Sequence, residues 1–468
     1  MVVDVGSRIG PAGSVRGDVP GDLERSELHA LGRSLRKETP RASHASWEPP
    51  ADRADPVALL EDSNASRLPD LVPVRYGRML DSAFTYLRGS PIVMNADFAR
   101  TPMSGIAVQC CGDAHLMNFG LYGSPERHVI FDLNDFDETL PGPWEWDVKR
   151  LAVSIVVGGK AVGLAAGSVA QATSEAVRMY RTTMAQLEAM SPLDVWYAHL
   201  DTDTIEAQAV NATNRRATAK AAEKARHRDS MQELQKLTTV VDGKRVIVDD
   251  PPLVVHDPFT PDALDQLRDA FLAYRDTLQP DRRDLIGRYR FVDIARKVVG
   301  VGSVGTRCWI MLGASPVDGS PLFLQIKEAV ASVLEPHVPP TVYANQGERV
   351  VNGQRLLQAV SDIFLGWTRG NEHDFYVRQL RDMKGGIDLA RTTASELTGY
   401  ARLCGTALAR AHARTCSAPL IAGYLGSSDA FDRAVCAFAA SYADQNDRDY
   451  AALQEAERSG RITATRGR

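Results

Sequence analysis

The stretch VQCCGDAHLMNFGLYGSPERHVIFDLNDFDE, residues 108–138, places Asp113, Asp132, Asp135 and Asp137 between strongly apolar segments. Removing an unpaired carboxylate from water is costly, so such a cluster calls for a metal ion or a charged substrate as partner. Asp113 and Asn118 stand close together in one loop, and Asp132, Asp135 and Asp137 follow an apolar run. Phosphoryl transfer needs groups of this kind: one carboxylate to orient and deprotonate an attacking hydroxyl, and an asparagine and an aspartate to hold magnesium against phosphates. The plain alternative is turn chemistry, because Asp and Asn side chains bond readily to loop backbone. His115 taken alone reads equally well as a buried core histidine.

A second patch lies far downstream, where GVGSVG carries Gly300, Gly302, Ser303 and Gly305. A GxGxxG by itself is weak, since dinucleotide-binding folds share it. Those folds need the glycines to open a helix, whereas here TRCWIML continues as a strand and a DGSP turn sends the chain back. A glycine-rich hairpin can lie over phosphates with its N–H groups facing anionic oxygens. The returning strand PLFLQIKEA carries Lys327 among apolar neighbours, where an ammonium needs a matching charge. Glu348, in the first turn of the next helix, is placed to supply it. Glu328 adjoins Lys327 and faces the other way, and Glu335 falls in the connecting loop. The alternative is a lysine snorkelling to water and a glutamate that merely suits a helix N-terminus.

Hydrophobic periodicity supplies the elements around these patches. Residues 75–89 read as helical, GIAVQCCGDAH and RHVIFDLND as short buried strands around a loop, and 146 to about 235 as a long helical region. A Pro-rich passage leads to a helix at 261–279. From 291 the texture becomes an antiparallel meander, then a helix with Val350, Leu357, Val360 and Phe364 on one face, then strand again at HDFYVRQLRDM. ELTGYARLCGTALARAHAR opens the closing helices. Residues 1–55 read as a flexible tail with one docked segment around LGRSLRKETPRASH.

The acidic loop resembles the catalytic core of the protein-kinase-like superfamily, most closely its aminoglycoside-phosphotransferase and choline-kinase branch, where a GDxHxxN loop precedes a strand ending in the metal aspartate. By that resemblance Asp113 would be the catalytic base, His115 would support its loop, and Asn118 would be a magnesium ligand. Asp132 and Asp135 compete as second ligand, with the separation of Asp132 from Asn118 closer to the family's. Asp147 in WEWDVKRLA would brace the catalytic loop or cap a helix. LQIK resembles the kinase VAIK strand, so Lys327, held by Glu348, would reach the α- and β-phosphates of ATP beneath Gly300, Gly302, Ser303 and Gly305. The usual order of parts is cyclically permuted, and GTALARAHAR resembles the helix that normally precedes the catalytic loop. The strings CGDAHLMNFG, FDLNDFDE, WDVKRLA and QIKEA also resemble an uncharacterised bacterial family, the domain of unknown function 2252, over most of the chain after the tail. DFDET matches the DxDxT signature of haloacid-dehalogenase-like phosphatases, which require a strand directly before it and a doubly wound sheet after it.

The resulting expectation is a two-lobed α+β fold of kinase-like type. Residues 56–290 would be the first part of a helical lobe, 291–385 a sheet lobe, and 386–468 the remaining helices, with 160–290 forming much of the acceptor pocket. The implied function is phosphoryl transfer from ATP, with Mg2+, to a hydroxyl of an unknown acceptor; a nucleotide-binding pseudokinase and AMP transfer are the alternatives. Across 468 residues, 44% hydrophobic and 24% charged side chains suit a globular protein, and a net charge of −5 gives no general attraction to nucleic acid or anionic membrane. The basic run at 215–228 reads as a solvated helix face. Arg88, Arg378 and Arg381 read as structural salt-bridge partners, or as clamps for phosphate. Six scattered cysteines without metal-knuckle spacing, and no apolar leader or span, point to a reduced, cytoplasmic protein.

Overall fold

The computed structural model describes residues 23–207, 212–226, 230–242, 244–257, 261–380 and 383–467. Four short strands surround the acidic loop: β1 (Ala107–Cys110), β2 (Phe119–Gly123), β3 (Val129–Leu133) and β4 (Leu140–Pro143). β1 pairs antiparallel with β4, and β2 with β3, so the loop at 111–118 and the segment at 134–139 leave the same region of chain. β5 (Thr238–Val241) and β6 (Lys244–Ile247) form a separate hairpin.

The expected meander is part of a larger sheet. β7 (Val254–Val255), β8 (Arg290–Lys297), β9 (Cys308–Ala314), β10 (Pro321–Ala329), β11 (Gly366–Gly370) and β12 (His373–Gln379) lie in the order β11-β12-β10-β9-β8-β7, antiparallel throughout. Alternation puts Ile294, Met311 and Leu324 in one apolar cluster and Ala295, Ile310 and Phe323 in another, one for each face. The sheet takes in β7, upstream of the boundary expected at 291, and the helix Pro261–Asp276 packs on β11. The helix Gln346–Leu357 packs against β10, β11 and β12.

That helix stops at Leu357, so Val360 and Phe364 are not on its face. Gln358 turns to extended backbone, its amide donates to Leu133 O at 2.8 Å, and Ala359 N–H donates to Asp132 Oδ2 at 2.9 Å. Bonds to β3 have replaced the next helical turn. The helical region expected to run to 235 also divides, into Trp144–Ala161, Ala166–Glu188 and four shorter helices.

The main core lies among Trp144–Ala161, Ala166–Glu188, Ala394–Ala413 and Ala430–Arg458, where Trp144 stacks on Tyr180 with ring centroids 5.5 Å apart. Within the expected tail, the docked segment includes the helix Arg25–Leu35. That helix packs on Ala418–Leu425, and the turn Arg41–Ala45 buries His44 with Nε2 2.7 Å from the Tyr424 hydroxyl. Residues 1–22 of that tail lie outside the described residues. The basic helix Ala212–Arg226 buries Ala222 and Ala225 and exposes Arg215, Arg216, Lys220 and Lys224, as a solvated face should. Among the described residues no helix is long and apolar enough to cross a membrane.

Gly405 sets a close helix contact of the core, because a Cβ there would lie 2.1 Å from the carbonyl oxygen of Ala176. Gly405→Ala should therefore force Ala394–Ala413 away from Ala166–Glu188 and cost about 1–3 kcal/mol, measured by urea denaturation; an unchanged midpoint would mean that the two helices do not approach so closely.

Candidate functional site

β10 holds Lys327 between Cys308 of β9 and Tyr376 of β12 and leaves it 2% exposed. Its ammonium donates to Asp137 and stands 3.8 Å from Asp135. The two distant patches of sequence therefore meet. Burial works against a charged Lys327, but Asp135 and Asp137 outweigh it and hold its pKa well above the usual lysine value. Glu348 is not the partner. It lies in the first turn of its helix, its N–H donating to the Asn345 side chain that caps that helix, and the short reach from β3 lets Asp137 take its place.

Asp137 gathers donors from three parts of the sheet. Besides Lys327, the Ser303 hydroxyl lies 3.1 Å from its Oδ2, and the Tyr376 hydroxyl donates to its Oδ1 at 2.8 Å. The helix Gln346–Leu357 contributes Arg349, 1% exposed, whose guanidinium donates to the carbonyls of Asp137, Thr139 and Val330 at 2.6–2.8 Å. Arg349 thus ties the acidic segment, β10 and the helix together by backbone alone.

Asp132 is excluded from the cavity. It is fully buried, accepts from Arg410 at 2.6 Å through both oxygens, and accepts from the N–H groups of Leu133 and Ala359. Every acceptor direction is taken, so Asp132 holds β3 to the helix Ala394–Ala413 and has nothing left for a metal. Asp135, just past the end of β3, has a side chain 42% exposed and lines the cavity. Burial pushes its pKa up, but Lys327, Arg378 and Lys384 together hold it below the usual carboxylate value.

The loop 111–118 is braced from below. Asp147, in the first turn of Trp144–Ala161 but not at its cap, accepts from the N–H groups of Cys111 and Gly112 at 2.7 and 3.0 Å. His412 Nε2 lies 3.1 Å from it and His412 Nδ1 2.9 Å from the Tyr180 hydroxyl. Asp113 pairs with Arg150 at 2.7 Å; burial nevertheless dominates and raises its pKa to about 6. His115 is 8% exposed, 3.7 Å from Asp113, and burial followed by the charges of Arg88 and Arg150 keeps it neutral. Asn118 donates to the carbonyls of Asp113 and Asp135 at 2.9 and 3.1 Å, which fixes its amide orientation and links the two acidic segments.

Asp113, His115, Asn118, Asp135, Asp137 and Ser303 line one cavity of about 910 Å³. Gly300, Val301, Gly302 and Ser303 form its lid, with Gly300 and Gly305 at positive φ and Gly302 so close that a Cβ would sit 3.2 Å from Arg88 O. Ser63, Arg67, Arg75, Arg88, Pro91 and Ile92 form the wall next to this lid, and among the described residues of the expected pocket segment 160–290 only Gln235 and Lys236 line the cavity. Arg88 and Arg378 both reach the cavity, and neither has an ion-pair partner among the described residues, contrary to the salt-bridge expectation; Arg381 lies outside them. Sequence reading also missed Arg150 and Arg349, because nothing in a string of letters marks which arginines are buried.

No group of three or more His, Cys, Asp or Glu among the described residues is arranged to hold a metal ion. Magnesium suits such a place all the same, since it takes one or two carboxylates and completes its shell with phosphate oxygens and water. Asp135 fits that need, with Asn118 beside it through the Asp135 carbonyl.

An α+β chain with an acidic loop lining one cavity and a buried lysine held to that cavity's Asp137 is the class so defined. A family model described as an uncharacterized protein conserved in bacteria, DUF2252, matches residues 67–456, and the chain belongs to that family. No curated protein and no solved structure matches it.

The two aspartates should separate by measurement. Asp132→Asn leaves the Arg410 charge buried without a counter-ion and should cost about 3–5 kcal/mol in chemical denaturation. Asp135→Asn, half exposed and with Asp137 still on Lys327, should stay within about 1 kcal/mol of the parent. Equal losses would show that Asp135 is as structural as Asp132.

Proposed function

We propose that this protein is an ATP- and magnesium-dependent phosphotransferase of kinase-like type, acting on a hydroxyl-bearing acceptor. The observation that carries the reading is the buried Lys327 held to the Asp135–Asp137 segment, which lines one cavity together with Asp113 and Asn118. The antiparallel order of β11-β12-β10-β9-β8, the glycine turn between β8 and β9 and the brace from Asp147 all support it. An antiparallel sheet is also not the doubly wound sheet that a haloacid-dehalogenase-like phosphatase requires.

In this reading the lid at 300–303 turns its N–H groups toward the phosphates of ATP and Lys327 neutralises them. Magnesium bound at Asp135 would supply charge compensation for the phosphoryl oxygens. Asp113 accepts the proton of the acceptor hydroxyl as that oxygen bonds to the γ-phosphorus; the bond to the bridging oxygen breaks and ADP leaves. Arg150 fixes the Asp113 carboxylate and keeps burial from raising its pKa further. Because Lys327 donates to Asp137 in the ligand-free protein, phosphate oxygens replace part of that bond when ATP enters.

A base must be ionised to act. With its pKa raised to about 6 by burial, Asp113 is protonated at lower pH and free above it. The acceptor-dependent kcat/KM should therefore climb about tenfold per pH unit below that value and level off above it. Arg150→Met should move the rise to higher pH, and an unshifted profile would assign the titration to another group.

ATP turnover against a panel of hydroxyl metabolites tests the reading as a whole. Asp113→Ala should lower turnover by about 10²–10⁴-fold with nucleotide affinity retained, while Lys327→Met should weaken ATP binding itself. Full turnover in the Asp113 variant would remove the assigned base, and unchanged ATP affinity in the Lys327 variant would remove the phosphate site.

A further inference from the structure

The carboxylates of the cavity are already engaged. Asp113 is paired with Arg150, Asp137 with Lys327, and Glu328 with Arg307 and His373. Glu138 accepts from Val333 N–H at 2.8 Å, and burial raises its pKa to about 7. Of the three arginines that residues 63–92 bring to the cavity, Arg75 and Arg67 are occupied by neutral acceptors, Arg75 by the Ser63 hydroxyl and the Gly89 carbonyl. Arg67 donates only to the carbonyls of Ser63 and Val304. Arg88 makes no hydrogen bond or ion pair among the described residues, and its Nε is buried without an acceptor. Its strongest favourable interaction is with Asp113, then with Asp135, both through space.

A half-buried guanidinium with nothing to bind is costly, and Arg is suited to fork around carboxylate or phosphate oxygens. The lid and Lys327 are assigned to the nucleotide; Gly302 of the lid lies against the Arg88 backbone, while the Arg88 guanidinium has Asp113 as its strongest favourable charge partner. Arg88 stands on the side of the base, where an acceptor must present its hydroxyl. We infer that Arg88 is an anion-binding subsite for the acceptor, so that the phosphorylated substrate is a hydroxyl compound that already carries a phosphate or carboxylate group. This inference rests on the phosphotransferase reading for the word acceptor, but not for the anion site itself.

The test has two arms on the full chain. In the first, inorganic phosphate is titrated without nucleotide, and thermal stabilisation is read. Stabilisation should vanish in Arg88→Gln and return in part in Arg88→Lys; stabilisation unchanged in Arg88→Gln would overturn the subsite. In the second, ATP turnover is compared for matched neutral and anionic hydroxyl compounds, such as a sugar and its phosphate. Only the anionic members should stimulate, and Arg88→Gln should raise their KM by about tenfold or more while ATP affinity stays the same. Equal stimulation by neutral members, or a loss of ATP affinity in place of acceptor affinity, would overturn it. Failure of the parent protein to bind ATP would sink the phosphotransferase reading alone, because the phosphate arm uses no nucleotide.

Discussion

The buried bond between Lys327 and Asp137 is the interaction on which the cavity depends. An ammonium and a carboxylate are both expensive to remove from water, and their mutual attraction offsets that cost only when geometry is good and further donors complete the set. Here the Ser303 hydroxyl and the Tyr376 hydroxyl do so. The consequence is that a sheet strand, a glycine turn and the segment after β3 are held to one point. Breaking that point would free the lid and the acidic segment at the same time.

Around it, the functional loops are positioned by buried polar groups bonded to backbone. Asp147 holds the loop at 111–112, Arg349 holds the carbonyls of Asp137 and Thr139, and Asn118 ties the two acidic segments to each other. Loops cannot be fixed by apolar packing alone, because their N–H and C=O groups still need partners when buried. A few charged side chains, each making two or three such bonds, meet that need. They also explain why the helix Gln346–Leu357, which offers no carboxylate to Lys327, is still part of the site.

The strands were legible because alternating apolar residues and glycine turns leave a period-two signal, and Lys327 stood out because an ammonium within an apolar strand requires a partner. Its partner was not legible. Spacing pointed to Glu348 on the next helix, while the fold brings Asp137 across from another part of the chain, a contact that local periodicity does not encode. Asp132 misled for a related reason: its separation from Asn118 suited the resemblance, but its place inside β3 turns it toward Arg410, whereas Asp135 has cleared the strand. The pocket wall at 63–92 was hidden as well. Its short helices were readable, yet nothing in their pattern showed that Arg67 and Arg88 face the acidic loop.

The balance of charge in the cavity bears on what state the protein occupies before any ligand arrives. Carboxylates there are matched mostly inside the protein: Asp113 by Arg150 and Asp137 by Lys327. Such pairing leaves Lys327 already satisfied by Asp137, so in the phosphotransferase reading an incoming phosphate would have to compete for it. Asp135 is less tightly held, at 3.8 Å from Lys327 and half exposed. Cation binding at Asp135 would weaken its pull on Lys327 and leave the ammonium freer to turn toward phosphate. Metal and nucleotide would then each make room for the other, a coupling that follows from two neighbouring aspartates sharing one lysine and needs no movement of the sheet.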